Sequence, residues 1–200
     1  MDEHTLKRLS TGEIPITFSS LPDDVISVTA MILVDAGPEE LWTSLTDYDN
    51  LQHNLPKVLS SRLVSRDGSE VLLEQTGKTG IFIFEKTVNF LLKAQETYLK
   101  RIGFEQVSGD FKVYRGEWRI DSFPGTIGSI LVYKAEIKPD FFAPPILVSF
   151  VQYQDLPGIL KAHKERAEKL RDEKTEQDKT GEPSGADPET KSSIPSNNDN

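Results

Sequence analysis

Residues 45–58, LTDYDNLQHNLPKV, hold several residue types that do chemistry in proteins: two aspartates, a tyrosine and a histidine. Such a cluster predicts either a metal or acid–base site or a turn closed by polar side chains. His53 has no histidine or aspartate four residues further on, and the chain has no cysteine, so the usual zinc spacings are absent. Asp47 and Asp49 stand where carboxylates accept hydrogen bonds from nearby backbone amides. We predict a turn and no metal site, and we leave open a contact with a ligand.

Other catalytic signatures are missing from the sequence. It contains no G-x-S-x-G elbow, P-loop or G-x-G-x-x-G motif, and the glycines of residues 74–80 lie between two strand candidates, which favours a hairpin. A few titratable groups lie near strand centres, but alternation should direct most of their charges to solvent. These groups are Glu74, Glu85, Lys86 and Tyr133. We assign no catalytic residue and predict no cofactor.

Composition indicates one domain with polar ends. The chain has 200 residues, 36% of them hydrophobic, and a formal net charge of −9. This charge repels phosphate backbones at long range, so we predict no nucleic-acid partner. We divide the chain into an N-terminal arm (1–24), a folded domain (25–171) and a disordered acidic tail (172–200), because the tail has too few apolar residues to offset the entropy of ordering it. No signal peptide or membrane span is recognisable, so we expect a soluble, cytoplasmic protein.

The order of predicted elements is strand, short helices, strands and long helix. Residues 25–34 are rich in β-branched side chains and predict a strand. Pro38 opens a short helix that ends in the polar turn. Six period-two segments follow with short turns between them, at residues 57–66, 69–78, 81–93, 96–109, 110–121 and 125–138. A helical stripe over residues 144–170 should cover the sheet, with a kink or break at Pro157-Gly158.

Alternation along residues 110–121 assigns the two faces of this sheet. Tyr114, Trp118 and Ile120 should face inward, and the charged residues between them should face water. Trp118 and Tyr114 are then either plain core or the lining of a cavity, and both readings stay open.

Four segments resemble the START-like superfamily, and within it the polyketide cyclase/dehydrase and coenzyme Q-binding group. They are GPEELWTSLTDYDNLQHNLPKVLSSRLV, EQTGK, GDFKVYRGEWRID and LPGILKAHKERAEKL. The resemblance implies an α+β helix-grip fold: a curved antiparallel sheet of about seven strands wrapped on a long C-terminal helix, with two short helices after the first strand. It implies an internal cavity for a lipid, quinone or polyketide-like molecule and says less about activity, because one fold hosts many functions.

On this basis we predict that the protein binds a hydrophobic small molecule. The candidate cavity residues are Trp42, Gln75, Phe104, Tyr114, Trp118, Tyr133, Phe150 and Tyr153, and the candidate mouth residues are His53, Phe141 and Phe142. The aromatic pair at 141–142 either gates the cavity, with transient membrane contact, or plugs the barrel end. Two alternatives remain: an aromatase/cyclase-type enzyme, and an interaction protein that uses the outer sheet face or the acidic tail toward a macromolecule that the sequence does not identify.

Overall fold

The structure is a computed structural model and describes residues 1–79, 86–141 and 155–180. Within these ranges the strands are β1 Ile16–Leu21, β2 Val25–Val34, β3 Val58–Asp67, β4 Glu70–Thr79, β5 Lys86–Thr97, β6 Arg101–Gly109, β7 Phe111–Ser122 and β8 Ser129–Pro139. The helices are α1 Glu3–Ser10, α2 Pro38–Thr46, α3 Leu51–Asn54 and α4 Leu156–Thr180.

The strands form one curved, open, antiparallel sheet in the order β1-β2-β8-β7-β6-β5-β4-β3. Strands β3 to β8 follow the chain as a meander, and β2 joins the far side of β8. The sheet with its long C-terminal helix confirms the predicted α+β helix-grip fold. Two short helices, α2 and α3, follow β2 as predicted.

The two faces of the sheet differ as the alternation predicts. Trp118 of β7 lies opposite Tyr133 of β8, and both contribute to the main core. Charged residues of the same strands form ion pairs across the outer face, such as Arg115 with Glu136 at 2.7 Å. Gly116 is required in this register, because a Cβ there would stand 2.1 Å from the carbonyl oxygen of Lys134.

Helices α2 and α4 cover part of the inner face. Leu41 of α2 and Leu160 and Ala167 of α4 are fully buried in the same core as the inward residues of β2 and β8. Pro38 begins α2, where a backbone N–H has no intrahelical partner to lose. The described part of α4 begins at Leu156, so Pro157 lies in its first turn, and residues 144–154 of the predicted helix lie outside the described residues.

The N-terminal segment, predicted to be an arm, contributes a helix and a strand to the fold. Strand β1 pairs with β2 and becomes an eighth strand at the edge of the sheet. Helix α1 lies on the outer face, where the fully buried Leu9 packs with Ile130 and Val132 of β8. Ile130 and Val132 lie opposite Asp121 and Arg119, on the face that the alternation along residues 110–121 assigns to water, so the alternation does not predict this cover.

Helix α4 continues past the predicted domain boundary at residue 171. Residues 172–180, expected to be disordered, are helical, and residues 181–200 lie outside the described part of the chain. Ion pairs hold this extension to α2 and the loop before it: Lys174 lies 3.1 Å from Glu39 and 3.4 Å from Glu40, and Arg171 lies 2.8 Å from Asp35. The low apolar content of residues 172–180 therefore predicts an end of the helix that is too early.

Candidate ligand cavity

Six aromatic side chains, which we call the aromatic wall, form a continuous row along the sheet. Neighbouring rings have centroids 4.5 to 6.3 Å apart and mostly meet edge-on or tilted, the geometry that aromatic pairs prefer. The members are Phe90 of β5, Phe104 of β6, Phe111, Tyr114 and Trp118 of β7 and Tyr133 of β8. Four of them, Phe104, Tyr114, Trp118 and Tyr133, are predicted cavity residues, which the sheet brings together. Their contact with a ligand stays a prediction.

The inner face is filled at one side and less covered at the other. Ala30, Leu131 and Ala135, at the β2–β8 side, have no exposed surface. Tyr114 and Trp118 point to the same face yet remain only half-buried. These two rings are therefore less covered than the residues at the β2–β8 side, and they keep some exposed surface.

Two phenol groups lie within the aromatic wall. The hydroxyl oxygens of Tyr114 and Tyr133 are 3.5 Å apart, at the outer limit of a hydrogen bond. Burial raises the pKa of Tyr114, and burial together with the neighbouring Tyr114 raises the pKa of Tyr133 well above its usual value. Both groups are protonated at neutral pH. They can therefore donate hydrogen bonds to an acceptor group placed against the wall.

A buried histidine lies at the Trp118 end of the wall. The His163 ring meets the Trp118 ring edge-on with centroids 5.3 Å apart. Its Nδ1 is 3.0 Å from the hydroxyl of Ser44, which also donates to the His163 carbonyl at 3.3 Å. Burial, and then the charge of Arg166, lower the pKa of His163 to about 4. A neutral imidazole therefore ties α4 to α2 beside the wall.

The other predicted cavity residues occupy different surroundings. Gln75 of β4 lies opposite Phe90 and donates from Nε2 to the Ser61 hydroxyl at 3.0 Å. Trp42 is buried in α2, and its ring meets Tyr98 edge-on at 5.6 Å, in the turn between β5 and β6. Phe150 and Tyr153 lie outside the described residues.

The predicted mouth residues fall in two places. Phe141 is half-buried at the Phe111 end of the wall, with ring centroids 6.1 Å apart, and the ammonium of Lys86 lies 3.7 Å from the Phe141 centroid. His53 instead lines a groove of about 410 Å³ between α3 and α4. Phe142 lies outside the described residues. Gating and transient membrane contact stay predictions.

A charged network that the sequence reading missed lies at the opposite end of β5. The Tyr48 hydroxyl donates to Glu96 Oε1 at 2.7 Å, and Arg66 donates to both Glu96 oxygens at 2.6 and 3.0 Å. These groups adjoin a cleft of about 370 Å³ lined by Trp42, Arg66, Glu96 and Tyr98 among others. Burial and then the hydrogen bond to Glu96 raise the pKa of Tyr48. Along β5, Glu96 lies two positions after the buried Ala94 and four after the buried Leu92, so period-two alternation places it on the inner face. The predicted segment 81–93 stops before Glu96 and therefore does not reveal this.

The polar turn of residues 45–58 caps the edge of the sheet. Asp49 accepts a hydrogen bond from the Leu63 amide at 2.7 Å, and Gln52 accepts one from the Ser61 amide at 2.9 Å. Both amides belong to β3, an edge strand, whose outer backbone groups have no neighbouring strand. Asp47 pairs with Arg166 of α4. Asp49 thus accepts from a backbone amide as predicted, whereas Asp47 accepts from the side chains of Asn50 and Arg166.

The described residues include neither a cluster of metal-binding side chains nor a helix that could span a membrane. In residues 1–79, 86–141 and 155–180 no group of three His, Asp or Glu side chains could hold a metal ion. None of the helices in these ranges is long and apolar enough to cross a membrane.

A family model described as polyketide cyclase / dehydrase and lipid transport matches residues 34–164. No curated protein matches the chain.

Several solved structures have the same fold. A protein of Thermus thermophilus is 23% identical, with a TM-score of 0.60, over 72% of this chain and 98% of that one. The Zhui aromatase/cyclase of Streptomyces sp. R1128 is 13% identical, with a TM-score of 0.61, over 72% and 94%. A STAR-related lipid transfer protein of Xanthomonas axonopodis is 14% identical, with a TM-score of 0.63, over 78% and 93%. At these identities the similarity shows the shared fold.

Proposed function

Because the chain belongs to the polyketide cyclase/dehydrase and lipid transport family, we propose that it binds a hydrophobic small molecule against the aromatic wall. The observation that carries the proposal is the incomplete burial of inward-facing rings, above all Tyr114 and Trp118. Apolar surface that faces inward without being filled is typical of a ligand cavity. The ligand class is a lipid, a quinone or a polycyclic, polyketide-like molecule.

Ring stacking and apolar burial would supply most of the affinity. A ligand that buries about 200 Å² of apolar surface gains roughly 5 kcal/mol before the cost of immobilising it. The hydroxyls of Tyr114 and Tyr133 would orient the ligand by donating to a carbonyl or ether oxygen. The predicted ligand is therefore apolar over most of its length and carries at least one acceptor.

The names of two structural neighbours support a hydrophobic ligand with either of two uses. One neighbour is a lipid transfer protein and the other an aromatase/cyclase. We place binding first, because the two wall phenols have raised pKa values and so act as donors rather than as bases at neutral pH.

Native mass spectrometry after gentle purification tests the proposal by detecting a bound apolar molecule. A fluorescence titration with a quinone then locates the site, since Trp118 lies in the wall and Trp42 does not. Quenching should persist in Trp42→Phe and be lost in Trp118→Phe. The proposal fails if the purified protein carries no apolar molecule and binds none of several quinones and lipids at micromolar concentration.

Cyclase activity is the second candidate, favoured by the two phenols within 3.5 Å of each other. Donation from these hydroxyls would stabilise the enolate oxygen that forms when a poly-β-carbonyl chain cyclises. The assay is the appearance of aromatic absorbance from such a chain, compared between the wild type and Tyr133→Phe. Tight binding of the chain with no product above the uncatalysed rate would leave binding as the function.

A further inference from the structure

The amide of Gln106 lies at the Phe111 end of the aromatic wall. Its cross-strand partner is Leu92, a buried member of the main core, so Gln106 of β6 is on the inner face of the sheet. Its Nε2 donates to the carbonyl oxygen of Phe111 at 2.7 Å. The side chain is therefore held beside the first ring of the wall.

This hydrogen bond fixes which way the amide points. A carbonyl oxygen can only accept, so the nitrogen of Gln106 must face Phe111 and Oε1 must face away. Oε1 is buried and has no hydrogen-bond partner among the described residues. It lies beside Gly109, where a Cβ would stand 2.9 Å from it. A buried amide acceptor without a donor is unfavourable and uncommon in native proteins.

Gln75 provides a contrast on the same face. It too is a half-buried glutamine that donates through Nε2, in its case to Ser61. Its Oε1 is not among the buried, unpaired atoms of the described residues. The unpaired oxygen is therefore a property of Gln106 and not of inward glutamines in this sheet.

We propose that Gln106 Oε1 accepts a hydrogen bond from a hydroxyl or N–H group of the bound ligand. The inference rests on the proposed function and narrows it to ring compounds that carry a donor, such as phenols. The half-buried rings of Phe90, Phe111 and Tyr114 lie within 6.3 Å of one another at this end of the wall, beside the amide. A ligand donor placed against these rings would reach Oε1 after a small shift of the amide, whereas an ether or a hydrocarbon would leave Oε1 unpaired.

Two matched probes test the inference: 2-naphthol, which has a donor, and 2-methoxynaphthalene, which has the same rings and none. The wild type should bind the naphthol about tenfold more tightly, the ratio that one hydrogen bond of about 1.4 kcal/mol gives. Gln106→Met should lose this preference and still bind the ether. Gln75→Met, the matched control, should keep it. If Gln106→Met does not fold, Gln106→Asn, which withdraws the oxygen by one methylene, is expected to lose the same preference.

The outcomes separate the two proposals. Equal preference for the naphthol in the wild type and the Gln106 variants, with both probes bound, overturns the role of Gln106 and leaves the binding function standing. Loss of preference in Gln75→Met as well as in Gln106→Met also overturns it, since the effect is then not specific to the unpaired oxygen. Failure of both probes to bind the wild type overturns the inference and counts against the binding function.

Discussion

Acidification should destabilise the protein through His163, because the fold holds this imidazole neutral. Burial and the charge of Arg166 lower its pKa from 6.5 to about 4 in the folded protein. As pH falls through 6.5 the unfolded chain takes up a proton at this position, and the folded protein does so only near pH 4. Between these values the unfolded state binds more protons, so the free energy of unfolding must fall as pH falls.

The two pKa values give the size of the loss. One pKa unit corresponds to about 1.4 kcal/mol, so the full contribution between pH 6.5 and 4 is about 3 kcal/mol. Below pH 4 both states are protonated at this site and its contribution stops changing. A loss of this size is a large part of the stability of an ordinary domain.

Urea unfolding at several pH values from 7.5 to 4 measures this contribution by difference. In His163→Asn the side-chain amide can still reach the Ser44 hydroxyl but gains no proton, so stability should depend less on pH by about 3 kcal/mol over the window. His53→Asn is the matched control, since His53 is exposed and should leave the wild-type pH dependence intact. Equal pH slopes for the wild type and His163→Asn would refute the reasoning.

Three further predictions concern the sheet edge, the cavity mouth and the outer face. Asp49→Ala should lower the free energy of unfolding in urea by about 1 kcal/mol, because the Leu63 amide loses its acceptor, and Asp49→Asn should recover part of this loss. Equal stability of the wild type and both variants would contradict the capping role. Phe141→Ser should cost under about 2 kcal/mol, since the ring is half-buried, and should change the rate of ligand uptake in stopped-flow fluorescence. A cost of about 3–5 kcal/mol with unchanged uptake would identify a plug instead. Leu9→Ala should cost about 3 kcal/mol by differential scanning calorimetry, and a negligible change would mean that α1 is not part of the folded domain.

The sequence determined the features that depend on local period. A period of two along residues 110–121 assigned Tyr114 and Trp118 to the inner face, and the short turns implied antiparallel neighbours. The residue types of the polar turn likewise predicted caps. The structure differs from the sequence expectations at two places for local reasons. Strand β5 continues to Thr97, beyond the predicted segment 81–93, and residues 172–180 are helical although their low apolar content predicts disorder.

Tertiary structure decided which of these residues meet. The register of β7 against β8 places Trp118 opposite Tyr133, and the packing of α4 on α2 brings His163 to Ser44, a pair separated by 119 positions in the chain. Whether an inward residue is core or cavity lining depends on tertiary packing, because alternation gives a side chain its direction and says nothing of what fills the space beyond it. The unpaired oxygen of Gln106 also depends on tertiary structure, because Nε2 donates to the carbonyl oxygen of Phe111 and Oε1 is left without a donor. The face to which a side chain points is set by its position in the strand, whereas the residues that it contacts belong to segments far apart in sequence.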